Sequence, residues 1–433
     1  MKISGFENVI CVEQFEYCAN VDEHEYCDFS CSVKEENIDF LVGLVDSDIM
    51  FEDDDFKFCG HVTEISFSKD ICGCRVEVKT IGKTYLYDQI KCRRIFQNEE
   101  KIFSDILSHM ESMSDVKVEE DPNILEVVFQ DEETDWEFIS RMCQVTGLHL
   151  FTGNNVYIGR YGKNTNEIQE EDCIDYWYST SIKGKYLFCR LKQCFSLGDK
   201  VRIFDEEFWI SKKKYILEKE KYYFEYTFNE ITEGIDNDGD LPSVYLDAVV
   251  TDNNDPDKKG RIQVSFETDD VMDCMKDNPI WIERLDLYAS KGLGTVFIPN
   301  VNDKVRIHLY KGKAYVIGSM REEAYGNQYQ DCNNKYLILS ENISFEYKEG
   351  IISAINKENK VEISEESISI YSGEKTICVI QKDCVDIQVE DSTITINSDI
   401  SLKTGKVVSE AKKDTSISAL NVNILGKKGV SIN

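Results

Sequence analysis

Apolar and polar residues alternate with period two through most of this 433-residue chain, most tightly between Tyr245 and Met320. Runs such as Arg261-Ile262-Gln263-Val264-Ser265-Phe266 and Val305-Arg306-Ile307-His308-Leu309 put one apolar row on a single strand face. Polar clusters at Asp252 to Gly260, Gly292 to Gly294 and Lys311 to Lys313 separate the runs. Asn254-Asp255-Pro256 opens a turn, and Gly260 supplies permissive backbone before the next strand. Gly292 and Gly294 flank re-entry into Thr295-Val296-Phe297-Ile298, which Pro299 terminates. Short strands and several turns within one compact segment predict a closed barrel of the oligonucleotide/oligosaccharide-binding (OB) type.

The order of these pieces is also specific. A-V-V-x-D-N-x-D-P-x-x-x-G-R-I-x-V-x-F, W-I, G-x-G before F-x-P, and a closing V-I-G-S follow one another. In this the segment resembles the OB domain of valine-glycine-repeat (VgrG) spike proteins, the spikes of type VI secretion and related contractile phage tails. It departs where the family's usual Gly and Glu stand before the late strand, here Asn302 and Lys304. An acidic insertion, Thr268 to Asn278, widens one loop.

A second stretch is similar to the same family. R-R-I-F-Q from Arg93 leads into Ile102, Phe103, Ile106, Leu107 and Met110 at helical spacing over Asn98 to Met113. Strand Leu125 to Gln130 and a helix from Thr134 to Met142 follow. Thr134 stands three residues before Glu137, a capping-box spacing, with Trp136, Ile139, Met142 and Cys143 as the apolar face. Gly147 is a natural stop before Leu148-His149-Leu150-Phe151. This block looks like the N-terminal hub of the spikes. Strand-rich residues 1–94 then correspond to a first hub barrel, 95–150 to its helical insertion, and 151–235 to a second hub barrel paired about a pseudo-symmetric axis. Within the latter, Leu197-Gly198-Asp199-Lys200-Val201 reads as a tight turn entering a strand. Glu233 to Asp240 is a polar linker, and the OB domain occupies 241–325.

After a polar connector, Arg321 to Asn334, residues 335–433 alternate almost without pause, as in Val361-Glu362-Ile363-Ser364, Val385-Asp386-Ile387-Gln388-Val389 and Thr415-Ser416-Ile417-Ser418. Pro is missing there. Such strands expose an apolar row that one chain does not cover, and three chains wound together would bury it in a shared β-prism. An independent β-sandwich or single-chain solenoid is the alternative. The resembling spikes carry a trimeric β-helical needle in this place, although Val-Gly repeats are weak here. The fold class is therefore mainly β: two hub β-barrels with a small α/β insertion, an OB-fold barrel, and a C-terminal intertwined trimeric β-helix or β-prism needle.

Composition narrows the function. Lys and Arg number 49 against 81 Asp and Glu, a net charge of −32, so nucleic acid would be repelled. No signal peptide or run of about 18 apolar residues is visible, which implies synthesis in the cytoplasm and makes the 16 cysteines reduced thiols. Cys72, Cys74 and Cys378 sit at strand positions, where a thiol acts as a small hydrophobe.

Several constellations invite chemistry. His24, Cys27 and Cys31 match no zinc spacing. Neither Asp53-Asp54-Asp55 nor the Asp-Asn-Asp-Gly-Asp run ending at Asp240 has the Glu that closes a calcium loop. Asp131, Glu132, Glu133 and Asp135 suit a helix start better than an acid/base pair. No nucleophile elbow, zinc-protease signature or phosphate loop is found. No catalytic, cofactor-binding or metal residue is assigned. The expectation is a non-enzymatic, homotrimeric hub-and-spike of a contractile injection machine, joined to the tail tube and baseplate and driven through a target envelope. A PAAR-type tip protein or effector would sit beyond Val430-Ser431-Ile432-Asn433, and the short connector and the stop at Asn433 leave no room for an added enzyme. The alternative is a tail-associated glycan-binding or cell-wall-degrading protein.

Overall fold

The computed structural model describes residues 2–396 except 5, 7–10, 54–55, 72, 98–102, 123–125, 154, 183, 219–220, 232–240, 267–269, 275, 278, 292, 321–332 and 390–391. The predicted linker Glu233 to Asp240, most of the connector and the strands beyond Ile396 lie outside the described residues. So do the start of the first helical run, Leu125 and Cys72. Two units, Met1–Glu322 and Glu323–Asn433, are described separately.

The hub strands form one sheet of 12 strands rather than two separate ones. From one edge, Lys2–Ile3 pairs with Asp48–Asp53, followed by Phe56–Asp70, Gly73–Gly82, Tyr26–Val33 and Cys11–Asn20. Cys11–Asn20 then pairs antiparallel with Glu206–Glu218, placing Tyr17 opposite Tyr215, and the sheet runs on to the outer strand Cys173–Ser181. Residues 1–94 and 151–235 thus meet by hydrogen bonding across the middle of this sheet. They also share a core, with Phe15, Phe51, Phe58, Tyr215, Phe224 and Phe228 buried in one cluster. Phe15 meets Phe51 edge-on at 4.9 Å, and Phe56 stacks on Tyr215 at 4.9 Å. Such ring pairs add about 0.5–1.5 kcal/mol each beyond their buried area.

The turn into the second hub segment depends on Gly198, whose φ is +85°. A β-carbon there would lie 2.5 Å from the Tyr157 hydroxyl and 2.7 Å from the Phe151 ring, so the backbone and the space both require glycine.

Residues 95–150 pack as a small lobe with its own core of Phe96, Phe103, Phe138, Ile139, Met142 and Leu150. Its first helix is short, Phe103–Ser108, with a 3-10 turn at Glu111–Met113 where the apolar spacing predicts continued α-helix. Helix Asp135–Thr146 is capped as its sequence predicts: Thr134 Oγ1 accepts from Glu137 N, and the Glu137 side chain accepts from Thr134 N. Gly147 ends it in the left-handed conformation.

The second unit is an eight-stranded antiparallel meander from Lys335–Ser340 to Ser392–Ile396, each strand paired to the next in sequence.

One buried titratable pair stands out in the hub. Glu25 is 5% exposed and accepts a 2.6 Å hydrogen bond from the Tyr17 hydroxyl. Burial pushes its carboxyl up to about 7, against the pull of the Tyr17 bond and Lys213. The folded state therefore holds the proton more tightly than the unfolded chain. The resulting stabilisation is complete below the unfolded pKa of 4.5 and is lost as pH rises through about 7. Glu25→Gln should flatten the fall in urea-unfolding midpoint between pH 5 and pH 8 and leave the variant the more stable at pH 8. An unchanged slope would contradict this account of Glu25.

Candidate assembly interface

The barrel begins with the strands Val244–Asp252, Gln263–Ser265, Glu283–Arg284, Lys304–Tyr310 and Lys313–Ser319 in one five-stranded sheet. Its two edge strands are joined by reciprocal hydrogen bonds between Ile262 and Ile282, at 3.1 and 2.8 Å, so the sheet returns on itself. Leu246, Val250, Val264, Ile282, Ile307 and Val316 fill the interior. The same core takes in Ile95, Val127 and Phe129 from the hub lobe, so hub residues complete the barrel's packing.

The loop predicted to be only an acidic insertion makes this junction. Its described part contributes Met272–Asp273 as a third strand beside Lys91–Gln97 and Val127–Thr134, with Met272 opposite Arg94 and Asp273 opposite Ile95. Gln97, 1% exposed, donates to Asp273 Oδ2 at 3.0 Å and to Val264 O at 3.3 Å, and accepts from Ile280 N at 3.2 Å. Asp273 Oδ2 also accepts from Phe266 N at 2.9 Å. At the rim, Arg93 reaches Asp270, while Glu126 N and Val127 N both donate to Gly312 O at 2.9 and 3.2 Å. The only sequence signal for this arrangement is a glutamine closing the apolar R-R-I-F-Q strand.

The D-P-x-x-x-G-R motif is a carboxylate-centred loop. Asp255 accepts from the backbone N–H of Asp257, Lys259 and Arg261, and its two oxygens take Arg261 Nε and Nη2 at 3.1 and 2.8 Å. The Arg261 guanidinium and these amides hold the carboxyl far below the usual range. Gly260 carries φ +73°, as the turn reading requires. Asn302, at the position where the resembling family has Gly, adopts φ +75°, a conformation asparagine tolerates.

Residues weighed for chemistry are placed structurally. Cys27 and Cys31 are buried free thiols in the hub core. His24 turns elsewhere, stacking on Trp136 at 4.0 Å with its Nδ1 2.9 Å from Thr84 Oγ1. Asp131 meets Arg93 at 3.0 Å, Glu133 binds Arg141 through both oxygens at 2.7 and 2.6 Å, and Asp135 meets Arg94 at 2.6 Å. Each is held by its own arginine, so the cluster joins helix to sheet instead of converging on a cleft. Asp53 accepts from Tyr215 Oη at 2.9 Å, while Asp54, Asp55 and the second acidic run lie outside the described residues. Among the described residues no group of three His, Cys, Asp or Glu is placed to hold a metal ion.

In the second unit the register aligns two apolar ladders on one sheet face. Leu337, Phe345, Ala354, Val361, Ile370, Cys378, Ile387 and Ile394 face one another in succession across the strands. Beside them run Tyr347, Ile352, Ile363, Ile368, Ile380, Val385 and Ile396. The opposite face carries Glu346, Ser353, Glu362 and Ser369 in the same manner. Ile352 and Phe345 are each 53% exposed and Ile394 58%, so among the described residues the apolar face is uncovered.

The hub–OB junction yields a direct test. Gln97→Leu leaves Asp273, Ile280 N and Val264 O without their shared partner and should cost about 1–3 kcal/mol. Differential scanning calorimetry should show the loss, and limited proteolysis should cut faster around residues 266–280. Wild-type behaviour in both would remove this network from the junction's energetics.

Comparison with known proteins agrees with this geometry. Residues 246–320 match the family model described as the type VI secretion system/phage-baseplate injector OB domain. A search of curated proteins by sequence finds no match. Among solved structures, the E. coli c3393 protein is described as a component of the type VI secretion system with structural similarity to T4 bacteriophage tail proteins gp27 and gp5. It is 16% identical, with a TM-score of 0.50 over 74% of this chain and 99% of that one. A PdpA–VgrG complex, lidless, gives 9% identity and a TM-score of 0.51 over 89% of this chain and 93% of that one. Residues 246–320 are thus an OB domain of the type VI secretion and phage-baseplate injector family, in a chain whose fold is shared with these two solved structures.

Proposed function

We propose that the chain is the homotrimeric hub-and-spike of a contractile injection machine. The observation that carries this reading is the pair of apolar ladders on the C-terminal sheet. An exposed row of Ile, Val, Leu and Phe is covered at least expense by the same row on other copies, and closed symmetry leaves no further edge for uncontrolled growth. Each exposed ladder isoleucine, already about half buried, contributes roughly 0.7–1.5 kcal/mol when covered in this way. The hub sheet adds a second surface, its outer strand presenting Ile174, Tyr176, Trp177 and Tyr178.

In this reading the hub meets the tail tube and baseplate, the OB barrel transmits load to the needle, and the needle is driven through a target envelope. Sheath contraction elsewhere supplies the energy, so this chain needs no catalytic residue. It is made in the cytoplasm and leaves as part of the particle. A small PAAR-type tip protein or an effector caps the C-terminal end. The injector OB domain and the shared fold support the baseplate setting; the trimer, the puncturing step and the tip are the proposal.

Light scattering on the full chain should give a mass near three times 50.0 kDa. Ile363→Lys together with Ile368→Lys, facing residues in the second ladder, should shift the particle toward monomer while far-ultraviolet circular dichroism retains the hub's β signal. A stable wild-type monomer, or an unaffected trimer in the double variant, sinks the proposal.

A further inference from the structure

The hub holds a cavity that none of the foregoing uses. Its volume is about 550 Å³, and it lies where the first hub segment, the insertion and the second hub segment meet. This is within the ~300–1,000 Å³ range of small-molecule sites. Four lysines line it, Lys57, Lys117, Lys163 and Lys213, against two carboxylates, Glu119 and Asp199. That is a local cationic excess in a chain of net charge −32.

Both carboxylates are already engaged. Glu119 is ion-paired with Lys163. Asp199 accepts from Ser196 N at 3.1 Å, Asn164 Nδ2 at 3.1 Å and Asn166 Nδ2 at 3.4 Å. Behind the wall, Glu25 is taken by the Tyr17 hydroxyl. Lys213 is 9% exposed, and its ammonium sits 3.1 Å from Cys194 Sγ and over the rings of Phe224 and Phe56 at 5.3 and 5.9 Å. The Glu25 and Asp199 carboxylates act on this ammonium only through space, while its direct contacts are a thiol and two aromatic faces, so a buried cation is left with room for an anionic partner of its own. A second group points the same way. Thr152 lines the cavity and is 5% exposed, and its Oγ1 is buried with no hydrogen-bond partner among the described residues. A buried hydroxyl of this kind is destabilising until something pairs with it.

We infer that this cavity is a binding site for a small oxyanion-bearing molecule, a phosphate or polycarboxylate, received by Lys213 and Thr152 with Lys57 and Lys117 at the rim. The lysines exclude a metal cation, and the polar lining disfavours a large apolar ligand. Because the walls come from all three hub segments, occupancy would tie them together and stiffen the hub.

The test uses the full chain with inorganic pyrophosphate and, separately, citrate, at constant ionic strength. Thermal unfolding and calorimetry should show saturable binding to at least one, and the stronger of the two identifies the class. Lys213→Met should weaken binding at least tenfold and Thr152→Val severalfold. Lys57→Gln, at the exposed rim, serves if Lys213→Met does not fold and should weaken binding several-fold. Bound ligand should also slow iodoacetamide modification of Cys194, mapped by peptide mass spectrometry. A response matched by sodium chloride, binding unchanged in the variants, or cross-linking of Lys117 to acidic residues of a neighbouring copy would each overturn the inference.

Discussion

An alternating strand carries an apolar row that water disfavours, and the three parts of this chain differ in what covers it. In the hub, residues 1–94 and 151–235 cover one another by joining a single sheet around a shared aromatic core. The OB sheet curls until Ile262 meets Ile282 and encloses its own row, finishing the core with Ile95 and Phe129 from the hub. On the C-terminal sheet, the described residues leave the ladders exposed. One hydrophobic constraint therefore yields two finished domains and one face that calls for partners.

The hub–OB junction shows how a buried polar group positions an otherwise apolar contact. Packing of Ile95, Val127 and Phe129 against the barrel is nondirectional and would tolerate sliding. Gln97 removes that freedom, because its amide satisfies Asp273 and Val264 O while its carbonyl satisfies Ile280 N. The added strand Met272–Asp273 sets the register.

Local features were legible where local physics decides them. The capping box at Thr134 and Glu137, the stop at Gly147 and the Gly260 turn follow from spacing, because a cap or a positive φ involves only neighbouring residues. The Asp255 loop was visible as a turn but not as an arginine-clamped carboxylate. Less legible were groups whose role depends on residues far along the chain. The acidic loop after Phe266 reads as an insertion until Asp273 is placed against Gln97, 176 residues away. Asp131, Glu132, Glu133 and Asp135 read as carboxylates at a helix start, and only the fold shows Asp131, Glu133 and Asp135 each held by an arginine.

By itself the sequence determined the strand-dominated class, the OB segment with its ordered motifs, the helical lobe, and the apolar rows, since periodicity and turn chemistry are local properties. Only the tertiary structure decided that the two hub segments form one sheet, that the hub completes the OB core, and that Lys213 and Thr152 share a cavity. Strand partners and buried polar contacts are chosen by packing and hydrogen-bond satisfaction across long sequence separations, and no pattern within a single strand records which distant strand will lie beside it.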